Sequence, residues 1–179
     1  MTPLHSAPSL LLFFDTSAVG KYYDPTESGH EVTVALLQQF PGSCLMSGLV
    51  KTEVLRVFQK RRNIALNAPN AARRKIKKGY QALVQIWEQD LLTRWKVVPD
   101  VEGVADGATQ LLYTFDTTLK DASDAYILSN ALYYAHLLPL SLAFVSADES
   151  SGLNDVARKV GLHVINPDTI ILPFSLPLA

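Results

Sequence analysis

Short apolar runs alternate along this chain with longer segments in which apolar residues recur every three or four positions. Leu10 to Phe14, LLLFF, is the first run and has no polar residue to give it a solvent face. Such a run reads as a strand buried on both faces. Four more follow at Ser43 to Met46, Trp95 to Val98, Leu142 to Val145 and His163 to Ile165, each bounded by turn-forming or charged residues. Between them the helical period takes over. EVTVALLQQF, residues 31 to 40, has amphipathic spacing, and residues 48 to 62 form a second such segment. Residues 69 to 92 predict a long helix with Ile76, Tyr80, Leu83, Val84, Trp87 and Leu91 on one side. Asp100 to Thr114, Asp121 to His136 and Glu149 to Val160 read as three more helices, the last stopped by Gly161.

Five strands alternating with helices predict an α/β fold with a mainly parallel sheet. A length of 179 residues suits one domain, and neither an internal repeat nor a long linker interrupts it. The proline-punctuated end NPDTIILPFSLPLA is apolar and is expected to pack on the body or on a second copy. The longest apolar stretch, AYILSNALYYAHLLPLSLAFV, contains Asn130, His136 and Pro139, so a buried helix followed by a buried strand fits better than a membrane span. No basic segment precedes an apolar core at the start of the chain, as a secretory leader would require. The single cysteine, Cys44, rules out an internal disulfide framework and reads as inert packing in a strand. Together these features lead us to expect a cytoplasmic protein.

Charge adds an asymmetry that the net value of −1 conceals. Lys51 to Lys96 holds 12 Lys and Arg against 3 Asp and Glu, a formal +9, which leaves −10 for the rest. KRR at 60 to 62 and RRKIKK at 73 to 78 fall on predicted helices. They could form a phosphate-attracting face, a patch for an acidic protein, or simply a solvated helix surface.

The candidate chemistry lies in acids at strand and helix ends. In an open parallel sheet, ligands sit outside the carboxyl ends of the strands, where the strand order reverses. Asp15 stands at the carboxyl end of the first strand and Asp148 at the end of LAFVSAD. Glu53 lies in the first turns of the helix after the second strand, and Asp121 and Asp124 open the helix before the fourth. Taken singly, each is more often a cap, a turn former or a solvated first-turn acid than a functional group. Their shared edge of the sheet gives the joint reading its weight. Carboxylates at close range raise one another's pKa, and a divalent cation resolves that conflict. An oxygen-only donor set favours Mg²⁺ or Mn²⁺ over zinc. A cation of that kind supports hydrolysis of a phosphodiester by activating water and neutralising the leaving oxygen. Asp15, Thr16 and Ser17 read as a turn that aims the first acid, and Lys21 either contacts substrate or balances nearby acids.

FDTSAVGKYY with PTESGHEV, SGLVKTEVLRVF, LKDASDAYILSNAL and FVSADESSGLNDVARKVGLHVINP together resemble a PIN domain of the VapC-like toxin class. The resemblance spans about residues 10 to 167, leaving 168 to 179 as a tail on one PIN-like domain. It implies a three-layer α/β/α fold and a Mg²⁺- or Mn²⁺-dependent endoribonuclease, the toxin of a toxin–antitoxin pair. On that pattern Asp15, Glu53, Asp124 and Asp148 match the four catalytic acids, and Asp15, Asp124 and Asp148 hold the metal. Ser17 and Ser146 match supporting hydroxyls, and Asp121 is an additional acid near the third position. A small antitoxin protein and a second copy of the chain are the implied partners. Two departures stand out. The family's Asp-Ala-x-His is Asp124-Ala125-Tyr126-Ile127 here, and residues 63 to 92 are longer and more basic than a minimal member has.

Other phosphoryl and hydrolytic chemistries lack their parts. Dehalogenase-like transfer wants an acid two residues after the first, where Ser17 stands. Neither a dinucleotide nor a P-loop glycine motif is present, and there is no nucleophile elbow. His5, His30, His136 and His163 have no metal-ligand spacing. The competing reading is a non-catalytic PIN-like module that binds RNA or protein without cutting.

Overall fold

The computed structural model describes residues 10–67, 70–119, 121–138, 140–148 and 152–172. Five parallel strands form one sheet in the order β3-β2-β1-β4-β5: β1 Leu10–Phe14, β2 Cys44–Ser47, β3 Lys96–Val98, β4 Ser141–Val145 and β5 His163–Ile165. β1 is central, with Leu12 in register with Cys44 on one side and Ala143 on the other. Leu12, Phe13 and Phe14 are fully buried there, as an apolar run without alternation requires.

The helices are α1 Thr16–Tyr22, α2 His30–Gln39, α3 Gly48–Ala65, α4 Asn70–Thr93, α5 Val104–Thr114, α6 Ala122–Leu137 and α7 Leu153–Lys159. α1 packs on α2 and α3, and α3 on α4, while α6 packs on α5 and α7. The sheet lies between these two helical groups in a three-layer α/β/α arrangement. After β1 the chain adds strands in one direction and after β3 in the other, so the order reverses between β1 and β4. That boundary is where a crevice opens at the carboxyl ends of the strands.

α6 is buried nearly all round, through Ala125, Ile127, Leu128, Asn130, Ala131 and Tyr134, which explains its apolar sequence. Among the described residues, no helix is long and apolar enough to cross a membrane. The apolar stripe of α4 faces the body, with Trp87 fully buried and Tyr80, Leu83 and Leu91 against the core.

The structure corrects several expected boundaries. Thr16 and Ser17 belong to a short helix, not to a turn: Asp15 is its N-cap, accepting from the backbone N–H groups of both. Gly20 and two tyrosines follow, residues of weak helix propensity, so this helix is held by packing rather than announced by composition. α5 starts at Val104, after Pro99 and a positive-φ Gly103, and not at Asp100. α7 starts at Leu153 after Gly152, whose φ is +74° and whose Cα lies against Thr118; a Cβ there would stand 2.5 Å from the Thr118 carbonyl oxygen. The last residues of the apolar tail, 173 to 179, lie outside the described residues.

Candidate active site

β1 delivers Asp15 to the crevice, and three features hold it there. Its backbone N–H donates to the Val145 carbonyl at 2.9 Å, continuing the ladder with β4 for one residue past the strand. Its Oδ1 accepts from the Thr16 N–H at 2.6 Å. Its Oδ2 accepts from the Ser17 hydroxyl at 2.7 Å and the Ser146 hydroxyl at 3.1 Å. Those two hydroxyls also bind the segment after β4. Ser17 Oγ accepts from the Ala147 N–H at 3.0 Å, and Ser146 Oγ accepts from the Asp148 N–H at 3.2 Å. Asn154 of α7 donates from Nδ2 to the Ser146 carbonyl at 3.2 Å, so the turn carrying Asp148 is held from both sides.

A cleft of about 430 Å³ opens over this assembly, lined by Asp15, Glu53, Asp124 and Asp148 together. The sheet edge and the N-terminal turns of α3 and α6 meet there. Ser47 ends β2 fully buried and caps α3 by accepting from the Val50 N–H at 3.2 Å, which fixes the turn bearing Glu53. Thr16 donates its hydroxyl to Glu53 Oε2 at 2.6 Å, tying that acid to the residue after Asp15. Asp121 lies elsewhere: it is exposed and caps α6 by accepting from the Ser123 N–H at 2.7 Å, acting on Asp124 only through the helix.

The cleft holds cations as well as acids. Lys21 and Arg61 line the cleft together with the carboxylates, but both are committed to other acids. Lys21 is buried and donates to the Ser28 carbonyl at 2.9 Å, with Asp168 Oδ1 at 2.9 Å and Glu27 Oε2 at 3.7 Å. Arg61 pairs with Asp24 Oδ2 at 2.6 Å and with Glu27. Hydrogen bonds from Thr26 hold the Asp24 carboxyl below its ordinary range, and Arg61 adds to the effect. Lys21 is therefore a structural tie between the segment after α1 and the one after β5.

Neither Asp15 nor Glu53 is in a salt bridge with these cations. Burial pushes the Asp15 carboxyl up, against the lowering pull of the Ser17 and Ser146 hydroxyls and the Thr16 N–H. Among the described residues Oδ1 accepts a single hydrogen bond, which leaves it lone-pair capacity. Oxygen donors without His or Cys fit a hard divalent cation. The carboxylates surround the cleft rather than closing on a point: among the described residues, no three acid, His or Cys side chains stand in metal-holding proximity. None of the described histidines lines this cleft.

Sequence reasoning missed several participants. Thr16 reads in the sequence as part of a turn, and Asn154 lies in FVSADESSGLNDVARKVGLHVINP with no role of its own. Arg61 belongs to the cleft through its position at i+8 from Glu53, with Val57 between them at i+4. That row was legible in the sequence once Glu53 had been singled out. Glu27 had no such signal.

Residues 12–158 match the family model described as PIN domain. The chain belongs to the PIN domain family. Several solved structures share this PIN fold. FitAcB from Neisseria gonorrhoeae superposes with a TM-score of 0.62 at 21% identity, covering 89% of this chain and 100% of that one. VapC20 of Mycobacterium tuberculosis, described as a Sarcin-Ricin loop cleaving toxin, gives 0.58 at 16% identity over 87% of this chain and 99% of its own. VapBC2 from Rickettsia felis, solved bound to a DNA fragment from the promoter of that pair, gives 0.56 at 12% identity over 87% and 98%. No curated protein matches the chain. At these identities the structural likeness establishes the fold.

Proposed function

We propose that this PIN domain is a divalent-metal-dependent endoribonuclease and the toxin of a toxin–antitoxin pair. The observation that carries the reading is the convergence of Asp15, Glu53, Asp124 and Asp148 on one cleft at the switch point of the sheet. Asp15, Asp124 and Asp148 would hold Mg²⁺ or Mn²⁺, which supplies an activated water and charge neutralisation at the leaving oxygen when bound. The protein's own groups do the positioning. Ser17 and Ser146 orient the Asp15 carboxylate, and Ser146 also fixes the backbone that presents Asp148. Thr16 orients Glu53, placed to accept a proton from an attacking water.

The similarity to VapC20, a toxin, and to VapBC2 and FitAcB supports the toxin reading and an antitoxin partner; a homodimer working in the cytoplasm is part of the same proposal. The test is chemical. Purified protein is expected to cleave RNA with Mg²⁺ or Mn²⁺, EDTA to stop it, and Asp15→Asn and Asp124→Asn each to abolish it. Intact RNA under all these conditions, with the protein folded, would instead support a non-catalytic binding module. Expression in cells should arrest growth for the wild type and not for Asp124→Asn; a harmless wild type would remove the toxin assignment.

A further inference from the structure

Between Val54 and Trp87 the chain has nine Lys and Arg and no Asp or Glu. This stretch is the outer part of α3 and most of α4, two helices packed side by side. The structure sorts the nine cations. Arg61 is turned into the cleft and held by Asp24 and Glu27. Arg62 lies over the Tyr80 ring, 4.7 Å from its centroid, and fastens α3 to α4. Arg73 is engaged with another group. Arg56, Lys60, Arg74, Lys75, Lys77 and Lys78 are all exposed, and none of these six forms a salt bridge among the described residues.

Their arrangement is costly to the fold. Arg56 with Lys60, and Arg74 with Lys78, are like charges four apart on one helix face, and each pair is destabilising. An ordinary solvated helix relieves such rows with interleaved acids, and the stretch between Val54 and Trp87 has none. The rows also begin at the cleft. Arg56 and Lys60 fall beside Glu53 and Val57 on the surface of α3, one step around the helix from the row that lines the site.

We propose that this exposed basic face is an RNA-docking arm that binds backbone phosphates outside the cleft and needs no metal to do so. The inference rests on the ribonuclease reading for its substrate class and adds where that substrate is held. A cleft of four carboxylates repels a polyanion, so attraction has to come from a neighbouring surface. An acidic protein partner fits less well. Protein interfaces are depleted in Lys and anchored by large apolar or aromatic side chains. Among the described residues of this stretch only Ile64 and Ile86 are exposed large hydrophobics.

The test separates docking from cleavage. Binding of a fluorescently labelled RNA is measured in EDTA, where no cut can occur, over salt from about 50 to 200 mM. The wild type should bind, with affinity falling linearly on a log–log plot. Arg74→Gln/Lys77→Gln/Lys78→Gln should weaken binding by roughly tenfold or more and lower the slope by about 2, from about 0.7 per lost phosphate contact on a single strand. Circular dichroism should be unchanged, since all three side chains are exposed. Equal affinity and slope in wild type and variant would overturn the docking arm even if RNA is cleaved. Loss of binding to a poly-glutamate peptide with RNA binding intact would overturn it in favour of an acidic protein. RNA binding that depends on the three residues, in a protein that cuts nothing with any metal, would uphold the arm and reject the nuclease.

Discussion

Asp15 combines two demands on one carboxyl. It caps α1 and ties β1 to β4, yet only 4% of the residue is exposed, and burial holds its proton more tightly than in the unfolded chain. The sign follows from that. With its folded pKa raised, Asp15 contributes a stability that is fully present below the unfolded value and lost as pH rises through the folded one. Removing the charge should therefore stabilise the metal-free fold. Asp15→Asn is expected to raise the thermal midpoint in EDTA at neutral pH and to lose that advantage below about pH 4, where the carboxyl is protonated in either state. Calorimetry across pH checks this, and an unchanged or lowered midpoint at neutral pH would contradict it. Added Mg²⁺ or Mn²⁺ should lift the wild type, by about 2.7 kcal/mol at a hundredfold excess over Kd, and leave the variant unmoved. Burial also pushes the Cys44 thiol up to about 12, and a thiol reagent should leave it unmodified in the folded protein at neutral pH.

The elements differ in what they bring to the cleft. β1 and β4 bring acids at their carboxyl ends, whereas α6 brings Asp124 from its first turn and α3 brings Glu53 from its second, with the helix starts fixed by caps at Asp121 and Ser47. The hydroxyls of Ser17 and Ser146 join the two strand ends, and Ser146 serves both Asp15 and the backbone of Asp148. Ser146→Ala removes a donor and an acceptor together. We expect metal affinity to fall about 10- to 100-fold, read by calorimetric titration, with RNA cleavage falling alongside. Ser47→Ala should instead cost about 1 kcal/mol of stability by denaturant titration, because its hydroxyl serves the helix and not a carboxylate.

At the scale of the molecule, an aromatic cluster fastens α4 to the layer that carries the site. Tyr23 lies edge-on to both Phe58 and Trp87, with centroids 5.4 and 5.5 Å away, and Phe14 meets Trp95 at 5.1 Å. Inside this cluster Tyr23 donates its hydroxyl to buried Asp90 at 2.9 Å and accepts from the Trp95 indole N–H at 3.0 Å. Arg94 Nε completes the network with Asp90 at 2.9 Å. Tyr23→Phe deprives a buried carboxylate of a donor and a buried indole of its acceptor. The expected loss is about 1–3 kcal/mol in urea unfolding. A change within a few tenths of a kcal/mol would mean that the network contributes little.

Periodicity alone placed all five strands within a residue or so and the longer helices within a few, because an unbroken apolar run and a 3.6-residue stripe each report burial directly. The positions of Asp15 and Asp148 at strand ends, and of Glu53 and Asp124 near helix starts, were legible for the same reason. Packing decided what local pattern could not. It made a helix of Thr16–Tyr22, whose composition favours none, and moved the starts of α5 and α7 to follow glycines at positive φ. It sorted the cations too, burying Lys21, turning Arg61 inward and leaving Arg56, Lys60, Arg74, Lys75, Lys77 and Lys78 exposed. Charge and spacing are properties of the chain; which charges meet is fixed by contacts between residues far apart in sequence, and those exist only in the folded molecule.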